Sequence, residues 1–263
     1  MRLFIDIGNS TVVVAASDAQ GNILATSRFK TDKGMSEETV ASNISISLAK
    51  LTYNKSEERR EDNSITVSSV VPELNAVMAS VLKKQTGIAP QFVTYDDVAR
   101  FMAIDVDEPH KVGIDRLVDA LGTVALYGAP AIIIDMGTAT TVGIVDSRPA
   151  FIGGMIMPGI NTSLRALQSR ASLLPAVEVE APPSLIGRNT IHCMQSGIVY
   201  GNACMTDGII DRISRQYDCD FTVVATGGMA KVIVPYCLHP IVIDPLIQLK
   251  GLYRLSCISQ GEA

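Results

Sequence analysis

Apolar residues are bunched in short runs at both ends of this chain, and polar residues with turn chemistry separate them. Around Asp6, residues 3–5 and 7 are apolar; 12–16 are apolar again, and Gln20-Gly21-Asn22 turns the chain once more. This pattern predicts a three-stranded meander over 2–8, 11–17 and 22–30. Ser36 with Glu37 and Glu38 opens a helix that runs on apolar spacing to about Leu51. A strand over 65–71 stops at Pro72, a helix over 74–85 stops at Gly87, and 90–94 is a short strand. Helical spacing resumes from Asp115 to Tyr127 and ends at Gly128-Ala129-Pro130. Phe151 to Met157 reads as a strand, turned by Pro158-Gly159 into a helix rich in Leu and Arg. Residues 175–187 are irregular and Pro-rich, as in a loop over a cleft. Residues 190–217 read as one long helix or two, and 221–225 as a strand leading into Thr226-Gly227-Gly228-Met229-Ala230. Strands alternating with helices predict an α/β layer structure.

Within that pattern one phrase occurs twice. Leu3-Phe4-Ile5-Asp6-Ile7-Gly8-Asn9-Ser10-Thr11-Val12-Val13 returns 129 residues later as Ile132-Ile133-Ile134-Asp135-Met136-Gly137-Thr138-Ala139-Thr140-Thr141-Val142. Each copy is a buried strand, an Asp, a Gly, a cluster of small hydroxyl or amide residues, and a returning strand. The Asp is a hard-cation ligand, directly or through water. The Gly lets a ligand approach the backbone, and the turn's N–H and hydroxyl groups suit phosphate oxygens. Either copy alone is explained by ordinary turn chemistry. Two copies half a chain apart point to duplicated architecture, with the turns facing each other across a nucleotide cleft.

Composition narrows the class. The 263 residues are 47% hydrophobic and 19% charged, enough for a sizeable core and too apolar for global disorder. Net charge is −5 and pI about 5.2; with no basic stripe, this argues against nucleic acid. The mixed-charge run 55–62 reads as a solvated loop or helix end. The five cysteines (Cys193, Cys204, Cys219, Cys237, Cys257) are odd in number, lie in the second half and form no Cys-x-x-Cys. They read as reduced core thiols rather than a disulfide framework or zinc site. No apolar run reaches membrane-spanning length and none reads as a signal peptide, so a cytoplasmic location and no membrane partner are expected.

The chain has no Walker-type P-loop and no Gly-x-Gly-x-x-Gly after a strand. Its nucleotide chemistry rests on the paired Asp-x-Gly turns and on Gly227-Gly228, whose backbone could lie against a flat ring such as adenine. That order resembles the actin, Hsp70 and sugar-kinase superfamily. The implied fold is α/β: duplicated actin-like, ribonuclease H-like ATPase domains over 1–114 and 115–263, with a nucleotide cleft between them. A finer resemblance follows from Asp6-Ile7-Gly8-Asn9-Ser10, Gly113-Ile114-Asp115-Arg116, Asp135-Met136-Gly137-Thr138-Ala139-Thr140-Thr141, Gly153-Gly154 with Pro158-Gly159, Ile186-Gly187 with Thr190, Gln195-Ser196-Gly197 and Thr226-Gly227-Gly228 with Ala230, in that order. Together they resemble the type III pantothenate kinases, which carry out the first step of coenzyme A synthesis.

The resemblance implies ATP-dependent phosphorylation of pantothenate by a homodimer. It implies Asp115 as catalytic base for the acceptor hydroxyl. Residues alone say less: Asp115 lies at the junction of the halves beside Gly113 and a cationic Arg116, and an ordinary helix-start Asp–Arg pair reads the same way. The resemblance further implies an ATP site of Asp6, Ile7, Gly8, Asn9, Ser10, Thr11, Val12, Val13, Thr138, Gly227 and Gly228. Gly113, Ile114, Asp115, Arg116 and Thr190 would bind the acceptor. Asp6 would hold Mg²⁺ through water, and Asp135 an activating monovalent cation, K⁺ or NH₄⁺. His110 reads as exposed, and His192 and Cys193 as helix packing.

Two positions depart from the family pattern, and both concern the acceptor. Ile114 stands where the family usually has Ala, and Val106 stands where an aromatic is common. The competing functions are a non-catalytic regulatory relative and a superfamily kinase or phosphohydrolase for another small molecule. Retention of Asp6, Asp115 and Asp135 favours the active enzyme.

Overall fold

The computed structural model describes residues 2–51 and 63–258, so the charged run at 55–62 lies outside the described residues. The chain divides into two units, one of 1–125 with 246–263 and one of 126–245.

In the first unit the meander forms as expected: β1 (Arg2–Ile7), β2 (Thr11–Ser17) and β3 (Ile23–Lys30). Helix α1 (Glu37–Leu51) leads to β4 (Ser64–Ser69) and α2 (Pro72–Thr86). Pro72 begins α2 because a missing N–H costs nothing in a first turn, and Gly87 ends it in the left-handed region at φ 77°. After them come β5 (Gln91–Phe92), α3 (Tyr95–Ala99), β6 (Ala103–Ile104), a 3-10 turn over Pro109–Lys111 and α4 (Ile114–Tyr127). Strand order is β3-β2-β1-β4-β5. β1 is central and apolar on both faces, with Leu3, Phe4, Ile5 and Ile7 all buried. Val40 and Ile44 of α1 and Leu74, Met78 and Leu82 of α2 close one face of the sheet.

The second unit contains β7 (Ala131–Met136), β8 (Ala139–Val145), β9 (Ala150–Pro158), α5 (Ile160–Arg170), α6 (Thr190–Tyr217), β10 (Thr222–Thr226), α7 (Ala230–Ile233) and β11 (Val242–Ile243). Residues 190–217 are a single helix, and 171–189 carry neither helix nor strand. Within this unit the order is β9-β8-β7-β10-β11. Strand for strand it repeats the first sheet. In each, a central strand pairs antiparallel with the second strand, which pairs antiparallel with the third. On its other side the central strand pairs parallel with the fourth strand, which pairs parallel with the fifth.

One expectation about organisation is corrected. The division at 114/115 fails because α4 belongs to the first unit through Ala125, and the chain returns there as α8 (Ile247–Ile258). The return is held by close backbone packing. A Cβ on Gly122 of α4 would sit 2.6 Å from Ile247 O, and one on Gly251 of α8 would overlap the Val118 carbonyl. Farther along α8, Tyr253 meets Phe4 edge-on at 6.2 Å, and Arg2 donates from Nη1 to Cys257 Sγ at 3.2 Å. The core-thiol expectation holds for Cys257 alone; Cys193 and Cys204 are exposed, because each lies off the face of α6 that buries Met194, Val199, Ala203 and Ile210.

Candidate active site

The first Asp-x-Gly turn joins β1 to β2. Asp6 is half-buried between the fully buried Ile5 and Ile7. Gly8 N donates to Thr11 O at 3.1 Å, Thr31 N donates to Ser10 O at 3.0 Å, and Thr31 Oγ1 donates to Gly8 O at 2.7 Å. With the turn's carbonyls thus engaged, the side chains of Asn9, Ser10 and Thr11 are exposed at its tip, Val12 is buried and Val13 half-buried. Gln248 of α8 donates from Nε2 to Asp6 Oδ1 at 3.0 Å. Sequence reasoning missed Gln248, although a polar residue in the first turn of the apolar-spaced segment after Pro245 was a usable signal.

The second turn is one residue tighter. Ile7 pairs with Val12 across the first hairpin, but Met136 pairs with Thr140 across the second. The Thr and Val matches at 11/140 and 13/142 are therefore not equivalent in space. Val13 lies opposite Asp6, and Thr141 opposite Asp135. A one-residue slip reverses the facing of every following side chain. Thr11 is exposed, whereas Thr140 is 2% exposed and its Oγ1 has no protein partner among the described residues.

Two later segments close on this turn. Gly159 precedes α5, and a Cβ there would lie 2.5 Å from Gly137 O; Thr162 Oγ1 of α5 donates to Thr138 O at 2.8 Å. Gly227 follows β10 with φ +85°, and a Cβ would overlap Asp135 Oδ1 and sit 2.6 Å from Met136 C. Met229 N donates to Met136 O at 3.2 Å. Asp135, Gly137, Thr138, Gly159 and Gly227 are thus brought together within the second unit, while Gly228 is exposed, with none of the described residues within 4 Å of its Cβ position.

Gly113, Ile114, Asp115 and Arg116 form the start of α4. Arg116 N donates to Asp115 Oδ1 at 2.8 Å, and that oxygen lies 2.5 Å from where a Gly113 Cβ would be. Glycine at 113 therefore keeps this carboxylate's place open. Burial pushes the Asp115 carboxyl above the ordinary carboxylate value, against the lowering effects of the Arg116 N–H and guanidinium. Burial also draws the Arg116 guanidinium below its ordinary value, against the Asp115 charge. Val106 is half-buried, and exposed His110 rests on the Tyr95 ring at 4.1 Å.

Thr190 is exposed at the first residue of α6. Asn189 caps that helix by accepting from His192 N at 2.8 Å, and Cys193 Sγ donates to Gly187 O at 3.3 Å. Met194 is buried, and the partly buried Ile198 packs against the second unit's core. Among the described residues no group of three or more His, Cys, Asp or Glu could hold a metal, and no helix is long and apolar enough to cross a membrane.

Residues 2–212 match the type III pantothenate kinase family. The chain belongs to that family. It is 37% identical to the type III pantothenate kinase of Moorella thermoacetica over 254 residues, covering 96% of this chain and 97% of the relative. It is 34% identical to that of Bacillus cytotoxicus over 255 residues, covering 97% and 95%. Membership of the type III pantothenate kinases makes the chain a phosphotransferase whose reaction is ATP-dependent phosphorylation of pantothenate, the first step of coenzyme A biosynthesis. Among solved structures, the activator of 2-hydroxyisocaproyl-CoA dehydratase from Clostridium difficile, with bound ADPNP, superposes with a TM-score of 0.57 at 16% identity, covering 100% of this chain and 97% of the other. The ethanolamine utilization protein EutJ from Carboxydothermus hydrogenoformans superposes with a TM-score of 0.54 at 14% identity, covering 95% of this chain and 88% of the other, and the α/β fold is shared with these structures.

Proposed function

We propose that Asp115 is the general base of this pantothenate kinase and that the two Asp-x-Gly turns are its phosphate sites. The observation that carries the reading is the setting of Asp115. It is a desolvated carboxylate at a helix start, with one oxygen anchored by a backbone N–H and no side chain at 113 to crowd it. Its raised proton affinity suits it to accept a hydroxyl proton as the γ-phosphoryl is transferred. Gly113, Ile114, Arg116 and Thr190 bind the acceptor, the Arg116 guanidinium facing a carboxylate or amide oxygen. Ile7 through Val13, with Thr138, Gly227 and Gly228, hold ATP. The repeated strand order supports duplicated actin-like, ribonuclease H-like domains. The family resemblance supports a cytoplasmic homodimer without nucleic-acid or membrane partners.

The donor sets suit lightly held cations. Asp6 contributes a single carboxylate at the turn, and Mg²⁺ carried on the phosphates would meet it through water. When bound it offsets the negative charge on the transferred phosphoryl group. Asp135 offers one hard oxygen beside the close-packed Gly137 and Gly227, and there it would bind K⁺ or NH₄⁺.

The deciding assay is ADP release with and without pantothenate. Turnover is expected to require the acceptor; equal release without it would make the chain a phosphohydrolase. In the same assay K⁺ or NH₄⁺ is expected to stimulate over Na⁺, and Asp135→Ala to abolish that response. Equal rates in sodium and potassium buffers would remove the cation from Asp135.

A further inference from the structure

We infer that Gln248 is a positioning residue for phosphoryl transfer, clamping one oxygen of Asp6 so that the other is presented to the metal–nucleotide complex. The inference rests on the phosphate-side reading of Asp6 given above. Two observations carry it. The first is the hydrogen bond itself, Gln248 Nε2 to Asp6 Oδ1 at 3.0 Å, between residues 242 apart in sequence. A carboxylate only accepts, so the amide nitrogen must be the atom facing it. Asp6 Oδ2 then lies over the turn, 3.8 Å from where a Cβ on Gly8 would be.

The second observation is how firmly α8 is seated. At its start, Gly122 and Gly251 let the backbones of α4 and α8 approach so closely that neither position could hold a methyl group. Toward its end, Tyr253 meets the Phe4 ring of β1 edge-on, its hydroxyl donates to Ala19 O at 3.2 Å, and Arg2 of β1 reaches Cys257. An amide carried on so constrained a helix loses little freedom in holding a fixed carboxylate. A glutamine also suits the task in charge. It orients Asp6 without neutralising it, whereas lysine or arginine would cancel the charge needed to meet a hydrated cation. The α8 first turn adds the positive end of a helix dipole on the same side. The helix that bears Asp115 thus packs directly on the helix that orients Asp6.

The test compares Gln248→Met, which keeps length and bulk without the donor, and Gln248→Asn, which keeps the amide but is one methylene short. ADP binding is titrated with and without Mg²⁺, and steady-state rates are measured against Mg·ATP and pantothenate separately. The gain in ADP affinity from Mg²⁺ is expected to fall about tenfold in both variants, the scale of one charge-assisted hydrogen bond. KM for Mg·ATP should rise similarly, with KM for pantothenate within about twofold and thermal midpoints near wild type. Asp6→Asn should weaken Mg²⁺-dependent ADP binding at least as much, and adding Gln248→Met to it should cost little more. If Asp6→Asn weakens binding but both Gln248 variants behave as wild type, the clamp is overturned and the Asp6 reading stands. A parallel rise in both KM values would mark a merely structural role and also overturn it. If Asp6→Asn itself leaves nucleotide binding unchanged, the Asp6 reading falls and the clamp with it.

Discussion

Asp115→Asn is expected to lower kcat by roughly 10²–10⁴-fold while leaving ADP binding intact. The amide keeps an oxygen to accept the Arg116 N–H, so the helix start keeps its shape, but it cannot take the hydroxyl proton. The raised proton affinity of Asp115 adds two consequences. Only the ionised carboxylate is a base, so activity should fall on the acid side, with an apparent pKa above that of an ordinary carboxylate. The second consequence is for stability. A carboxyl whose folded-state pKa is raised holds its proton better in the folded than in the unfolded chain. It therefore subtracts stability as pH rises from the unfolded through the folded value. At neutral pH the Asn variant escapes that cost and should unfold no more readily than wild type. Near-normal pantothenate phosphorylation by Asp115→Asn would take this residue out of the mechanism, and a lowered thermal midpoint would contradict its desolvation.

Gly227→Ala should be among the most damaging single methyls in the second unit. The residue sits at φ +85°, where a side chain is strained, and the new Cβ would overlap Asp135 Oδ1 and the Met136 backbone. Strain and overlap together should cost about 2–4 kcal/mol of stability, read from denaturant unfolding. Displacing Asp135 should also weaken ADP binding by tenfold or more. Gly228→Ala is the matched control, since none of the described residues lies within 4 Å of its Cβ position. It should unfold within about 0.5 kcal/mol of wild type. If the backbone at 228 lies against adenine, it should nevertheless bind ADP more weakly. Equal stability of the two variants would refute the packing argument, and normal ADP affinity in Gly228→Ala would remove adenine from that glycine.

The two glycines show how differently a motif can be read before and after folding. Thr226-Gly227-Gly228 is visible in sequence as a loop after a buried strand. That Gly227 is required by Asp135, 92 residues earlier, while none of the described residues crowds a Cβ at Gly228, is not visible there. The repeat teaches the same lesson. Asp6 and Asp135 do stand at equivalent places, each near the end of a central strand that pairs antiparallel with the strand after it. The match of Thr11 with Thr140 does not survive, because the second turn closes one residue sooner and turns Thr140 inward.

Although α3 and α8 went unread, the sequence by itself determined most of the elements as far as residue 230, the paired turns, the ordered motifs and, through them, the family. Each of these is written in local periodicity, in turn residues, or in the order of short signatures, and none needs a distant contact to be read. Tertiary structure alone decided where the units divide, which helix supports Asp6, and how strongly Asp115 holds its proton. The return of α8 to the first unit brings together two glycines, Gly122 of α4 and Gly251 of α8, that lie 129 positions apart in sequence. Asp6 is held by an amide 242 residues away. The proton affinity of Asp115 depends on how much water its surroundings exclude. Desolvation and close packing depend on which atoms surround a residue, and folding brings those atoms from parts of the chain that no local pattern connects.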